Sequence, residues 1–245
     1  MNRFFVEPEA ITGTSIEIPD EAAVQIRRVL RLKEGTTVHF LDNRGWLYES
    51  RIHYPDGKSV TGEIIKKKPA EGEPDCCISL YIGLTQREKF EWILQKCTEA
   101  GAGRIIPMIT ERSLIRKSSE VSGKQERREK ILKEAAEQCG RGRIPELMPA
   151  VSFIEAVNLG SNADLSLFCW EEEKQKTLRE LLEPVRHSAK EIALMVGPEG
   201  GFSEDEASIA AAHCWLPVTL GKRIYRMETA AMASVILTLY ELERG

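Results

Sequence analysis

Hydrophobic positions recur in two rhythms along this chain, and the change of rhythm divides it. Up to residue 71, short apolar runs read as strands: Phe4-Phe5-Val6, then 16–18, 37–41, 46–52 and 60–65. Turn signals separate them, at Asn43-Arg44-Gly45 and Pro55-Asp56-Gly57. One helical pattern interrupts the series. Asp20 reads as its N-cap, and Val24, Ile26, Val29, Leu30 and Leu32 give an apolar stripe that stops before Gly35. Several strands around one helix predict a small barrel.

The segment 66–75 is polar and holds two prolines and a glycine, and apolar periodicity stops there. Beyond it, strand and helix alternate. Strands are expected at 76–84, 104–108, 165–170 and 192–196, and helices at 89–100, about 121–139 and 177–182. That alternation predicts an α/β domain, a mainly parallel sheet with helices on both faces. The expected domains are therefore 1–71 and 72–245. No internal repeat interrupts either.

The C-terminal stretch carries the candidate chemistry. The strand at 192–196 stops at Gly197-Pro198-Glu199-Gly200-Gly201, a run no strand or helix interior tolerates. Ser203 and Glu206 form the signature of a capping box, which starts a helix running to about His213. A second short strand, 217–220, ends at Gly221. A basic turn follows, Lys222-Arg223-Ile224-Tyr225-Arg226, and a helix over 229–243 is apolar nearly all round. Such a helix needs burial on more than one side, in a core or at a dimer interface. Two strands thus end in glycine-bearing loops that feed helices, and ligands of open α/β sheets bind outside the carboxyl ends of strands. Glycine lets the backbone approach a ligand with no Cβ in the way. The first loop has no lysine and carries Glu199, so it matches neither the P-loop nor the dinucleotide fingerprint. A ligand without phosphates, or a cationic one, suits it better. The alternative is a glycine turn that only shapes a tight corner.

Composition narrows the class. Hydrophobic residues at 42% support a real core, and 245 residues suffice for two modest domains. No apolar run approaches the roughly 20 residues that span a bilayer, and the first ten residues lack the apolar centre of a signal peptide. The six cysteines form no C-x-x-C pair, which argues against zinc and for a reducing cytoplasm. The net charge of −4 excludes a uniformly basic coat. Its distribution is uneven, however. Residues 86–143 hold 14 Lys and Arg against 9 Asp and Glu, a local +5; residues 1–72 balance at 11 and 11. Local charge decides whether a face holds a polyanion. Part of the basic stretch, 124–133, interleaves both signs as a solvated helix face does.

The motifs resemble a known family. Gly197-Pro198-Glu199-Gly200-Gly201-Phe202 and the later LGKRIYRMETA at 220–230 are similar to the paired C-terminal signatures of the SPOUT RNA methyltransferases. Within them the match is to the branch that methylates N3 of a uridine in small-subunit ribosomal RNA. RRVLRLKEG at 27–35, EWILQKCTEAGAGRIIPMITERS at 91–113 and EAAEQCGRGRIPE at 134–146 extend the resemblance over nearly the whole chain. There are two departures: Gln25 stands where the family usually has histidine, and Thr85-Gln86-Arg87 replaces a Pro-Lys-Gly turn.

The resemblance implies a SPOUT domain with a trefoil knot, preceded by a PUA-like RNA-binding domain. It implies a homodimer with its site near the interface, acting on small-subunit ribosomal RNA or the 30S subunit. It also implies S-adenosylmethionine as methyl donor. Three segments would wrap that cofactor: Phe168 to Glu171 at a strand end; Gly197, Pro198, Glu199, Gly200 and Gly201; and Leu220, Gly221, Ile224, Tyr225, Met227, Thr229 and Ala230. A sulfonium is already activated, so methyl transfer itself needs no metal, and no membrane partner is expected. Arg226, Arg112 and Arg141 are the candidates for the developing anion and RNA phosphates, Arg226 foremost. Glu228 would orient Arg226 or take the proton, or merely favour the start of the last helix. Arg27, Arg28 and Arg31 would fork onto phosphates or stack on bases. Two rivals remain at this point. One is a nicotinamide-dependent oxidoreductase on a doubly wound fold, opposed by the missing G-x-G-x-x-G. The other is a non-catalytic RNA-binding or ribosome-assembly protein.

Overall fold

The computed structural model describes residues 2–57, 59–114 and 125–243. The chain divides into two compact units, Met1–Glu73 with Lys133–Ile144, and Pro74–Leu132 with Pro145–Gly245.

The first unit is built on a six-stranded sheet. Its strands are β1 (Arg3–Phe5), β2 (Ile11–Thr12), β3 (Ser15–Glu17), β4 (Thr37–Leu41), β5 (Trp46–His53) and β6 (Thr61–Pro69), in the order β1-β4-β5-β6-β3-β2. Only β1 pairs parallel with its neighbour, β4; the other pairs are antiparallel. Alternate positions of β4 and β5 put Val38, Phe40, Tyr48 and Ile52 into one core with Phe4, Ile16 and Ile26. The β4–β5 turn forms because Asp42 Oδ1 accepts from the backbone N–H groups of Arg44 at 2.8 Å and Trp46 at 3.1 Å. Asn43 and Gly45 take the left-handed conformations that the turn requires, at φ 57° and 94°.

The helix of this unit departs from expectation. Pro19, not Asp20, is the N-cap of α1 (Asp20–Val24), and a π-helical turn, Gln25–Val29, follows it. Its wider hydrogen bonding, Leu30 N to Gln25 O at 2.9 Å, dissolves the 3.6-residue stripe. Ile26 alone of Val24, Ile26, Val29 and Leu30 is buried; Val29 is 70% exposed. The chain leaves this turn at Arg31 with φ 51°.

The unit is not one continuous stretch. Helix α3 (Gln125–Cys139) delivers its end to it. Glu137 accepts from Phe5 N at 2.9 Å, Arg3 donates to Gln138 O at 3.0 Å, and Ala136 joins Phe5, Leu41, Leu47 and Ala70 in a second small core. The part of the expected helix before residue 125 lies outside the described residues.

The second unit is the expected α/β arrangement. Strands β7 (Cys77–Gly83), β8 (Ala102–Ile109), β10 (Val151–Ser152), β11 (Leu165–Cys169), β12 (Glu191–Val196) and β13 (Leu216–Val218) run β10-β8-β7-β12-β11-β13, and β9 (Glu146–Leu147) also pairs with β8. Every pairing is parallel. Central strands β7 and β12 are buried almost throughout, which explains their mostly apolar composition, broken only by Ser79 and by Glu191 at the start of β12. Helices α4 (Phe153–Gly160) and α6 (Glu204–Ala212) share a core with Tyr81, Ile106, Met108, Phe168, Ala193 and Met195. Helices α2 (Arg87–Ala100) and α7 (Met227–Leu242) also pack on the sheet, and the short α5 (Leu178–Leu182) packs against α7. Helix α4 is absent from the pattern-based reading, although Ser152 and Glu155 form a complete capping box at its start. Among the described residues no helix is long and apolar enough to cross a membrane.

Trp215 is the largest fully buried side chain of this unit. Its indole donates to Val157 O at 3.0 Å and meets Tyr81 edge-on at 5.5 Å between ring centroids. A Cβ on Gly160 would run into that indole. Gly160→Ala is therefore expected to destabilise the second unit by about 1–3 kcal/mol through overpacking, read from urea unfolding. An unchanged midpoint would mean that the indole does not pack on α4 in solution.

Candidate functional site

The parallel register brings five strand ends level. Cys169 pairs with Val196 and with Val218, Val196 pairs with Ile82, and Ile82 pairs with Pro107. The segments after β7, β8, β11, β12 and β13 therefore leave the sheet along one edge. The segments after β7, β11, β12 and β13 lead into helices, α2, α5, α6 and α7.

The loops interlock closely. A Cβ on Gly83 would sit 2.5 Å from Pro198 N, so β7 ends flush against the glycine-rich loop only because Gly83 has no side chain. Gly201 adopts φ +67°, and the space beside it is filled by the Glu171 carboxylate. Arg112 donates to Gly200 O at 2.9 Å, tying the loop after β8 to the loop after β12. Glu206 serves both as well. Its buried carboxylate accepts from Glu111 N at 2.8 Å and from Ser203 N at 3.1 Å, while Ser203 caps α6 as the sequence predicts. On the far side, Trp170 N donates to Val218 O and Thr219 N to Lys176 O, which joins the loops after β11 and β13.

Glu199 is pinned within the protein. Thr85 Oγ1 donates to it, and Lys89 Nζ reaches the same oxygen at 2.9 Å. Partial burial pushes this carboxyl up, but the Thr85 and Lys89 hydrogen bonds outweigh burial and hold it below the usual range. Neither partner was foreseeable from local pattern, because they lie 114 and 110 positions away. Thr85 thereby takes a defined structural role in the loop after β7.

The other expected residues sort by what their side chains reach. Phe168 is buried between Trp170 and Phe202, so only its backbone faces the strand end. Met227 likewise points into the core. Leu220, Tyr225, Thr229 and Ala230 are half-buried, and Ile224 is 83% exposed. Gly221 takes φ +112°, with nothing near the place of its absent Cβ. Gly197 and Pro198 are buried, and Gly200 is exposed. Arg226 is exposed at the N-cap of α7, and among the described residues its side chain has no hydrogen bond or ion pair. Two residues on, Glu228 Oε2 is buried with no hydrogen-bond partner among the described residues. Burial pushes the Cys169 thiol at the end of β11 up to about 12, so it stays protonated and poorly nucleophilic.

Four of the expected residues belong to the first unit. Arg141 is only 4% exposed, and its guanidinium lies on the Glu73 carboxylate at 3.1 Å. The expected catalytic part for Arg141 would require that pair to open. Arg27, Arg28 and Arg31 are exposed on and just after the π turn. Arg27 donates to Gly57 O and lies over the Tyr54 ring at 5.8 Å.

Comparison with known proteins gives concordant matches. The family model described as RNA methyltransferase domain matches residues 72–239. Ribosomal RNA small subunit methyltransferase E of Synechocystis is 32% identical over 93% of this chain and 74% of its own length. The protein of that name from Bacillus subtilis is 30% identical over 99% of this chain and 98% of its own. The crystal structure of ribosomal RNA small subunit methyltransferase E from Neisseria gonorrhoeae, bound to S-adenosyl methionine, superposes with a TM-score of 0.85. It is 28% identical and covers 98% of this chain and 97% of its own.

The Glu199 contacts have a titratable consequence. A carboxyl whose folded pKa is lowered adds stability above its unfolded value of about 4.3, and that stability is lost as pH falls through the folded value. Lys89→Met removes one of the two groups that lower it. The Glu199 carboxyl resonance is expected to titrate at higher pH in that variant than in the parent, followed by NMR. Identical titration curves would place Lys89 away from Glu199 in solution.

Proposed function

The chain belongs to the RNA methyltransferase family, and we propose that within it the protein methylates N3 of a uridine in small-subunit ribosomal RNA, with S-adenosylmethionine as donor. The observation that carries this reading is the convergence of the glycine-rich loop, the strand-end loops and the start of α7 on one sheet edge.

The residues at that edge suit such a cofactor. Gly221 presents its backbone with no side chain near, while Gly197, Pro198, Gly200 and Gly201 shape the loop beside it, Gly201 under the Glu171 carboxylate. Leu220, Ile224 and Tyr225 give apolar walls for a purine, and Met227, Thr229, Ala230, Phe168 and Glu171 border them. Glu228 Oε2 is an acceptor that lacks a protein donor among the described residues. In this reading Glu199 shapes the loop through Thr85 and Lys89 rather than meeting the ligand.

When bound, S-adenosylmethionine supplies an activated methyl group on a sulfonium. The remaining demands fall on the chain. N3 of uridine must lose its proton, and the negative charge spreads onto the two flanking carbonyl oxygens. Arg226 supplies fixed positive charge for that anion, aided by Arg112 from the neighbouring loop. Glu228, whose Oε2 has no partner among the described residues, accepts the N3 proton or turns to Arg226 once RNA is bound. The loops align acceptor and donor, which is the largest share of the task. Arg27, Arg28 and Arg31 engage RNA phosphates from a PUA-like first unit, whether the RNA is free or in the 30S subunit. The second unit carries the trefoil knot of SPOUT enzymes in this reading. The protein works in the cytoplasm as a homodimer, with exposed Ile236, Leu237 and Tyr240 of α7 as the apolar surface that supports pairing.

Arg226→Ala is expected to lower the rate of methyl transfer about 10²–10³-fold, with the melting temperature unchanged. Unaltered turnover would remove Arg226 from the site. Mass-spectrometric mapping of ribosomal RNA from cells lacking the protein tests the reaction itself. One N3-methyluridine of the small-subunit RNA should disappear and return on complementation. An unchanged modification map would overturn the assignment.

A further inference from the structure

The first unit contains a cavity of about 460 Å³ that the activity above does not use. It is lined by Ile11, Ile64, Trp46, Tyr48, Arg44 and Lys67, with Asp42 beneath. Strand pairing builds it: Tyr48 of β5 lies opposite Lys67 of β6, and Trp46 is two residues along the same face.

Its chemistry is specific. The Lys67 ammonium lies 4.6 Å from the Trp46 ring centroid and 5.2 Å from that of Tyr48. Trp46 is 40% exposed, so part of its indole meets solvent beside a cation. Arg44 is a second cation, balanced in part by Glu9 at 3.7 Å. The carboxylate in the lining, Asp42, accepts from Arg44 N, Trp46 N and Tyr48 Oη and is buried, so its acceptor capacity is directed into the protein. A partly exposed indole, aliphatic walls and two cations suit a planar group linked to an anion. The volume lies in the range of small-ligand sites.

We propose that this cavity holds one unpaired nucleotide of an RNA strand. The base stacks on Trp46 against Ile11 and Ile64, and the adjoining phosphates engage Lys67 and Arg44. Stacking and charge give affinity without reading the base, so binding tolerates sequence. A base inside a duplex presents no free face and is not accepted. The proposal rests on the RNA-directed reading above and adds a second anchoring point, separate from the arginines of the π turn.

The test uses the full chain and a fluorescein-labelled oligouridylate of eight nucleotides, followed by anisotropy at several salt concentrations. Trp46→Ala is expected to weaken binding about tenfold. Lys67→Ala should reduce the slope of log affinity against log salt by about one phosphate contact. Duplex RNA of equal length should not compete. Because Trp46 lies in a strand, Trp46→Phe and the exposed Lys67→Ala serve as variants that keep the fold, checked by thermal melts. Unchanged affinity and salt slope in both Lys67→Ala and Trp46→Ala, or equal competition by duplex, would overturn the pocket. Methyl transfer to ribosomal RNA is measured in parallel. Parent protein that methylates while its affinity ignores Trp46 and Lys67 sinks the pocket alone. Parent protein whose affinity depends on both residues but transfers no methyl sinks the activity alone.

Discussion

Parallel pairing across one sheet is the constraint from which the rest of the second unit follows. Antiparallel neighbours would have sent alternate loops to opposite edges. Here Ile82, Pro107, Cys169, Val196 and Val218 stand at one level, so segments far apart in sequence leave the sheet side by side. Helices α2 and α6 begin the crossovers from β7 and β12, and α7 follows the last strand, so all three start from the same edge. A place where backbone donors, glycine corners and charged side chains gather is a result of topology before it is a result of any one residue.

Close contact then fixes the shape of that edge. Gly83 lets Pro198 approach, Gly201 makes room for Glu171, and Arg112 and Glu206 each bridge two loops. Most of these links end on backbone atoms. They therefore constrain the path of the chain while leaving side chains such as Arg226 and Ile224 exposed. The arrangement supplies a fixed frame and a few unengaged groups, which is what a reaction dominated by alignment requires.

Much of this was legible in the sequence because the signals are local. The capping box at Ser203, the glycine run after β12, the hairpin turn at Asn43 and the strand–helix alternation each depend on a few neighbouring residues. What escaped reading depends on distant partners. The Glu199 contacts with Thr85 and Lys89 and the Arg141 pair with Glu73 join positions with no shared periodicity. The π turn escaped for another reason: it changes the helical period itself, so the apolar spacing that suggested burial of Val24, Val29 and Leu30 no longer marks one face. The α4 helix shows the opposite failure, since its Ser152–Glu155 signal was present and unread.

The first unit closes on residues contributed from the middle of the chain. Phe5 and Arg3, near the very start, find partners on Glu137 and Gln138. During synthesis, then, the six strands can pair once Pro69 has left the ribosome, but the small core beside Phe5 stays open. That core closes only when Ala136 and Glu137 have emerged, by which time β7, α2 and β8 are already outside. Domains usually finish in the order in which they are made. Here the earliest strand pairs early with β4, yet the core beside it is among the last to be filled, and over that interval Phe5 and Leu41 lack Ala136.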